Sequence, residues 1–110
     1  MPTSPLLSYD SAAHSRSAID ATPGALLLQF GVDWCGHCQA AEPAIAQAMQ
    51  AQPQLAHLRI EDGAGRALGR SFKVKLWPTL VLMHHGQELA RLVRPTQVAQ
   101  VQEFLGQVPH

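Results

Sequence analysis

Cysteine is scarce in this chain of 110 residues: there are two, three positions apart. That is too few for the disulfide framework of a small secreted fold. An excess of one charge is also lacking, since eight Lys plus Arg face eight Asp plus Glu and no cations sit in a run. The balance argues against a nucleic-acid partner, which usually meets a basic face. No apolar stretch approaches the roughly 18 residues of a membrane span, and the run that starts at Ala25 is broken at Gln29. The opening Met1-Pro2-Thr3-Ser4-Pro5 carries no cationic region and leads into no apolar one, so no secretory signal is expected. Internal repeats, low-complexity tracts and nucleotide, metal or flavin motifs are likewise missing. What is left is a single domain over residues 1–110, soluble and expected in the cytoplasm as a monomer. Its 46% apolar content is enough for a core without staples.

Short apolar runs bounded by turn residues alternate with longer helical patterns. Residues 6–9 read as a short first strand. Asp10-Ser11 offers capping side chains for a helix to about Ile19, which Thr22-Pro23-Gly24 ends. Residues 25–32 are apolar on both faces, as in a central strand covered by helices. From Cys35 to Gln50 the composition favours helix, with Ala41, Ile45, Ala48 and Met49 at core-facing spacing and Pro43 as an expected kink. Residues 55–60 read as a strand, and Leu68 and Phe72 as one face of a short helix. Residues 79–83 and 88–93 form a hairpin around His84-His85-Gly86-Gln87, the histidines reading as solvated turn. Residues 96–105 close as a helix with Val98, Val101, Phe104 and Leu105 buried. The order β-α-β-α-β-α-β-β-α describes an α/β fold, a mixed sheet with helices on both faces.

The chemistry centres on Trp34-Cys35-Gly36-His37-Cys38, directly after the buried strand and opening the helix. A cysteine in the first turn of a helix meets free backbone N–H groups and the positive end of the macrodipole, which stabilise its thiolate. Cys38 follows one turn on, on the same side, placed to attack a mixed disulfide at Cys35. Gly36 lets the turn pack tightly, and His37 can stabilise the Cys35 thiolate further. Stabilising the thiolate favours the reduced form, so this pair should oxidise more strongly than one with proline in place of His37. The alternatives are a zinc site or a structural disulfide. Zinc wants four ligands, but only two thiols are present, and the histidines at 14, 57, 84, 85 and 110 follow no ligand spacing. No metal and no cofactor beyond a redox-active Cys35–Cys38 disulfide is expected.

A second signal is Trp77-Pro78-Thr79, opening a strand about forty residues after the cysteines. Strand–WCGHC–helix, Pro43 within that helix, Pro-Thr opening the next-to-last strand and the hairpin-plus-helix ending together resemble the thioredoxin family. The resemblance runs over nearly the whole chain. It implies a thioredoxin fold with sheet order 1-3-2-4-5, a cis bond before Pro78, and protein disulfides as substrates. It also implies that Pro78 abuts the active-site disulfide and that the backbone of Trp77 pairs with an extended substrate strand. Thr79 and Val93 belong to the same substrate edge, and Trp34 with Trp77 gives the rim an apolar surface. Electrons would come from a thioredoxin reductase or another dithiol donor.

Departures from the family pattern mark this chain. Six residues before Cys35, where the family buries an Asp that relays a proton from the second cysteine, stands Gln29; His57 holds the place of a neighbouring lysine. His57 is therefore the candidate to assist deprotonation of Cys38, the alternative being a plain hydrogen-bonded pair. After the last strand, where glycine is frequent, this chain has Val93-Arg94-Pro95. CGHC is the spelling typical of protein disulfide isomerases, while reducing thioredoxins mostly have CGPC. Three functions follow in order: a thiol–disulfide oxidoreductase of the cytoplasm, an oxidase or isomerase in an exported compartment, and a thioredoxin-like binding or chaperone module.

Overall fold

A computed structural model describes residues 9–12 and 14–109. The elements are α1 (Arg16–Asp20), β1 (Ala25–Gly31), α2 (Gly36–Gln50), β2 (Ala56–Glu61), α3 (Ala67–Ser71), β3 (Thr79–His84), β4 (Gln87–Val93) and α4 (Val98–Leu105). The described strands form one mixed sheet in the order β2-β1-β3-β4, in which β1 runs parallel to β2 and antiparallel to β3. Among the described residues four strands stand where five were expected. Residues 6–8 of the anticipated first strand lie outside the described residues. At its end, Asp10 bridges Ile60 in parallel on the open side of β2, the edge that the order 1-3-2-4-5 gives to strand one.

The period of two along β1 divides the core. Leu26, Leu28 and Phe30 face one side and pack with Ile19, Ile60, Leu68, Phe72, Val81 and Met83. Leu27 faces the other, with Leu80, Leu82 and the buried stripes of α2 and α4. In α2 that stripe is Ala41, Ala44, Ile45 and Ala48, with Met49 half-buried against it. Pro43 lies inside α2, four residues after Gln39.

Two helix starts differ from the sequence expectation, each because another side chain caps better. Ser15, not Asp10 or Ser11, begins α1, its hydroxyl accepting from the Ala18 amide. The Asp10 carboxylate instead accepts from Ala12 N–H two residues on, closing a local turn after the bridge to β2. In α4 the N-cap is Gln97, and the Gln100 side chain reaches back to accept from the Thr96 and Gln97 amides, so the helix opens at Val98 rather than residue 96. The β3–β4 hairpin turns on His85 and Gly86, both at positive φ, the requirement of a two-residue turn that matches strand twist. His85 is not merely solvated there: its Nδ1 accepts from Gly24 N–H at 3.0 Å, fastening the hairpin tip to the entry of β1.

Candidate active site

β1 delivers the chain to Gly31, and four residues later Cys35 forms the N-cap of α2. Capping residues leave their side chain facing the free N–H groups of the first turn. Here the Cys35 sulfur accepts from the Cys38 amide at 3.4 Å. Both cysteines are free thiols; Cys35 is 8% exposed and Cys38 fully buried. Gly36 and His37 lie on the exposed side of the same turn. Burial pushes the Cys38 thiol up to about 11, and hydrogen bonds from the Val32 backbone and the Tyr9 hydroxyl work in the opposite direction. One sulfur thus caps the helix, a little exposed and bonded to a first-turn amide, and its partner stays protonated, fully buried behind it.

β3 opens beside this turn. Thr79 pairs with Phe30, which sets Pro78 level with Gly31, and the Trp77–Pro78 bond is cis. Thr79 itself is buried and its hydroxyl donates to the Leu76 carbonyl, so its side chain braces the turn from within. Trp77 donates its indole N–H to Asp62 at 2.9 Å and meets Trp34 edge-to-face, with ring centroids 5.9 Å apart. Trp34 is 76% exposed, and Leu76 and Val93 are also large exposed apolar residues. Val93 lies across from Thr79 on β4. Trp77 packs against the cluster that holds Cys35 and carries Trp34 beside it, so the site has an apolar flank; Leu76, exposed next to Trp77 in the chain, was singled out by no motif. Arg94 follows at φ +51°, a backbone conformation that glycine holds without strain. Its amide donates to the Pro78 carbonyl and its Nε donates to the Trp77 carbonyl at 2.7 Å. The backbone acceptor of Trp77 is thus held by this chain's own guanidinium.

Gln29 and His57 do come together. Both project from the α2 side of the sheet, since Gln29 lies two residues from Leu27 on β1 and Leu27 pairs with His57 on β2. His57 Nε2 is 2.8 Å from Gln29 Oε1, while Gln29 Nε2 donates to the Tyr9 hydroxyl at 2.8 Å and to Glu42 Oε1 at 3.3 Å. The orientation follows from Glu42, which only accepts: the amide nitrogen must face it, so the amide oxygen faces His57 and His57 Nε2 donates. Glu42, 2% exposed, is bound at both oxygens by the guanidinium of Arg59. Between His57 and Cys38 stand Gln29 and Tyr9.

Three members of this network carried no motif. Glu42 was legible in principle, since it lies one turn after Cys38 and beside Ala41 in the buried stripe. Arg59 shares the strand parity of His57. Tyr9 had no signal beyond belonging to a short strand.

Burial, reinforced by the nearby Arg59 cation, holds the His57 imidazole down to about 4 from its ordinary 6.5. Between those values the unfolded chain binds a proton at His57 that the folded protein refuses. Stability present above pH 6.5 is therefore lost as pH falls toward 4. Urea unfolding should show about 2 kcal/mol lost to this residue between pH 7 and pH 5. His57→Gln should remove that slope; an unchanged slope would place the loss elsewhere.

A dithiol at a helix N-terminus, behind a central strand and beside a cis-proline turn, defines a site for thiol–disulfide exchange. The family model described as Thioredoxin matches residues 8–107, and the chain belongs to that family. The CxxC pair through which the family exchanges thiols and disulfides is Cys35 and Cys38. Over 82 residues the chain is 32% identical to thioredoxin C-3 of Corynebacterium nephridii, covering 74% of this chain and 57% of that protein. It thus spans little more than half of that relative's length. The reduced form of thioredoxin 2 from Pseudomonas aeruginosa PAO1 matches with a TM-score of 0.81 and 48% identity, over 88% of this chain and 90% of that one. Trxlp from Edwardsiella tarda EIB202 matches with a TM-score of 0.71 and 26% identity, over 84% and 95%.

Proposed function

We propose that this domain reduces disulfide bonds in other proteins. Cys35 attacks the substrate disulfide, forming a mixed disulfide and releasing one substrate thiolate. Cys38 then attacks Cys35, and the second substrate thiol leaves as the Cys35–Cys38 disulfide closes. The observation that carries this reading is the sulfur of Cys35 at the helix cap, bonded to the Cys38 amide, with Trp77 packed on the cysteine cluster and Trp34 edge-to-face against Trp77. An extended substrate segment would lie on the rim against the backbone of Trp77, with Pro78 and Thr79 fixing the turn. Gln29 and His57 shape the surroundings of the resolving thiol. A thioredoxin reductase or another dithiol donor would restore the pair, with no further cofactor, in the cytoplasm and as a monomer. Among the described residues no helix is long and apolar enough to cross a membrane, and no group of three His, Cys, Asp or Glu could hold a metal ion.

Histidine at 37 favours a second reading, since an imidazole N–H in the first turn of α2 that donates to the Cys35 thiolate would stabilise the reduced pair and make the disulfide more oxidising. Insulin reduction under dithiothreitol tests the activity, and acceleration of precipitation is expected; none would overturn it. Equilibration in glutathione buffers then sets direction. A potential in the range of the disulfide isomerases, near about −180 mV, would move the assignment to oxidase or isomerase.

Arg94 supplies a further expectation. Arg94→Gly frees the Trp77 carbonyl for a substrate amide, and one hydrogen bond corresponds to roughly a fivefold change in affinity. KM for a protein disulfide should fall by about that factor with kcat little changed. A rise in KM would mean that the guanidinium binds substrate instead.

A further inference from the structure

The resolving thiol is buried and protonated, yet the exchange requires it to act as a nucleophile. The polar groups around it on every packed element are Cys35 from the helix cap, Tyr9 from the segment bridged to β2, and, behind Tyr9, Gln29, His57, Glu42 and Arg59. Among the described residues, the polar side chains that meet this sulfur are Cys35 and Tyr9, with Val32 and Trp77 completing the cluster around it. Gly31 shows how close the approach is: a Cβ there would fall 2.6 Å from the Cys38 sulfur and 2.7 Å from the Tyr9 hydroxyl oxygen. Both atoms crowd the space that the missing side chain leaves.

The Tyr9 ring cannot drift from that place. Its own amide donates to Asp33 at 2.9 Å, and the next residue is tied into β2 by Asp10 N–H to the Arg59 carbonyl and Glu61 N–H to the Asp10 carbonyl. Glu42 fixes the Gln29 amide, so Gln29 donates to the Tyr9 oxygen. With that lone pair taken, the Tyr9 O–H is left pointing at an acceptor, and the sulfur of Cys38 is the one beside it.

We propose that Tyr9 is a positioning residue for the resolving half of the exchange, its hydroxyl donating a hydrogen bond to the Cys38 sulfur as that sulfur becomes a thiolate. The proposal rests on the dithiol reading above and deepens it. In the step concerned, Cys38 loses its proton to solvent and its sulfur bonds to the Cys35 sulfur. The Cys35–substrate S–S bond breaks, and the substrate sulfur leaves with the electron pair and takes a proton from solvent. Two electrons have then passed from the dithiol to the substrate disulfide. Tyr9 keeps its proton throughout; burial holds the phenol far above its ordinary range. It lowers the barrier by pairing with charge that appears on Cys38 only as the step proceeds.

Stopped-flow reaction of the reduced protein with Ellman's reagent separates the two halves, since the first nitrothiobenzoate leaves when Cys35 attacks and the second when Cys38 closes the disulfide. Tyr9→Phe should leave the first phase within twofold of wild type and slow the second about tenfold across pH 6–9, as expected for one hydrogen bond to a charged acceptor. Tyr9 is the sole tyrosine, so growth on 3-fluorotyrosine changes this hydroxyl alone, keeping the shape while strengthening the donor. That protein should close its disulfide faster than wild type. A second phase of wild-type rate in a folded Tyr9→Phe variant, or no acceleration in the fluorinated protein, would overturn the proposal. A missing first phase in wild type would instead overturn the dithiol reading.

Discussion

Cys35→Ser is expected to abolish disulfide reduction, with a rate at least ~1,000-fold below wild type, because a serine hydroxyl stays protonated where the thiolate must attack. Cys38→Ser should fail differently. Its Cys35 still attacks, but nothing resolves the adduct, so a mixed disulfide with substrate accumulates and is visible as a mass shift lost on adding dithiothreitol. The asymmetry follows from the geometry: one sulfur at the cap under the rim, the other sealed beneath it. Equal residual activity in the two variants would show that the roles are not divided as described.

Arg59→Met should cost about 3 kcal/mol of folding stability, lowering Tm by roughly 12 °C or more in a domain of this size. Glu42 is 2% exposed, and both of its oxygens depend on the Arg59 guanidinium. Removing the cation leaves a carboxylate in the core facing only the Gln29 amide, and an uncompensated buried charge is among the costliest single defects. The paired variant Glu42→Leu with Arg59→Met should recover most of the loss, because removing both charges together ends the desolvation penalty. A loss below about 0.5 kcal/mol in the single variant would mean that water reaches Glu42 and the pair behaves as a surface contact.

The architecture was readable where periodicity was strong. The apolar run of β1, the stripe of α2 and the hairpin punctuated by His85-Gly86 each carried one dominant signal, and each element stands where expected within a residue or two. Helix starts were less legible, since Asp10, Ser11 and Ser15 are all competent caps and the choice fell to the bridge between Asp10 and Ile60. The cysteines and the two tryptophans stood out by motif and placement, and the cis bond before Pro78 is what the family resemblance implied. The network behind Cys38 did not. Tyr9, Glu42 and Arg59 come from three separate stretches and meet only because strand parity and one helical turn aim them at a common point. Gln29 pointed to that place only through the Asp it replaces. Arg94 showed as a departure after the last strand, but its grip on the Trp77 carbonyl depends on a positive φ that sequence alone does not announce.

Timed alkylation with iodoacetamide at pH 7, mapped to each cysteine by mass spectrometry, tests the division of labour between the two thiols most directly. Cys35, at the helix cap and the more exposed of the two, should be modified at least tenfold faster than Cys38, which is fully buried and whose thiol is held up to about 11. Modification of the two cysteines at equal rates, or of Cys38 first, in protein that remains folded would contradict the account.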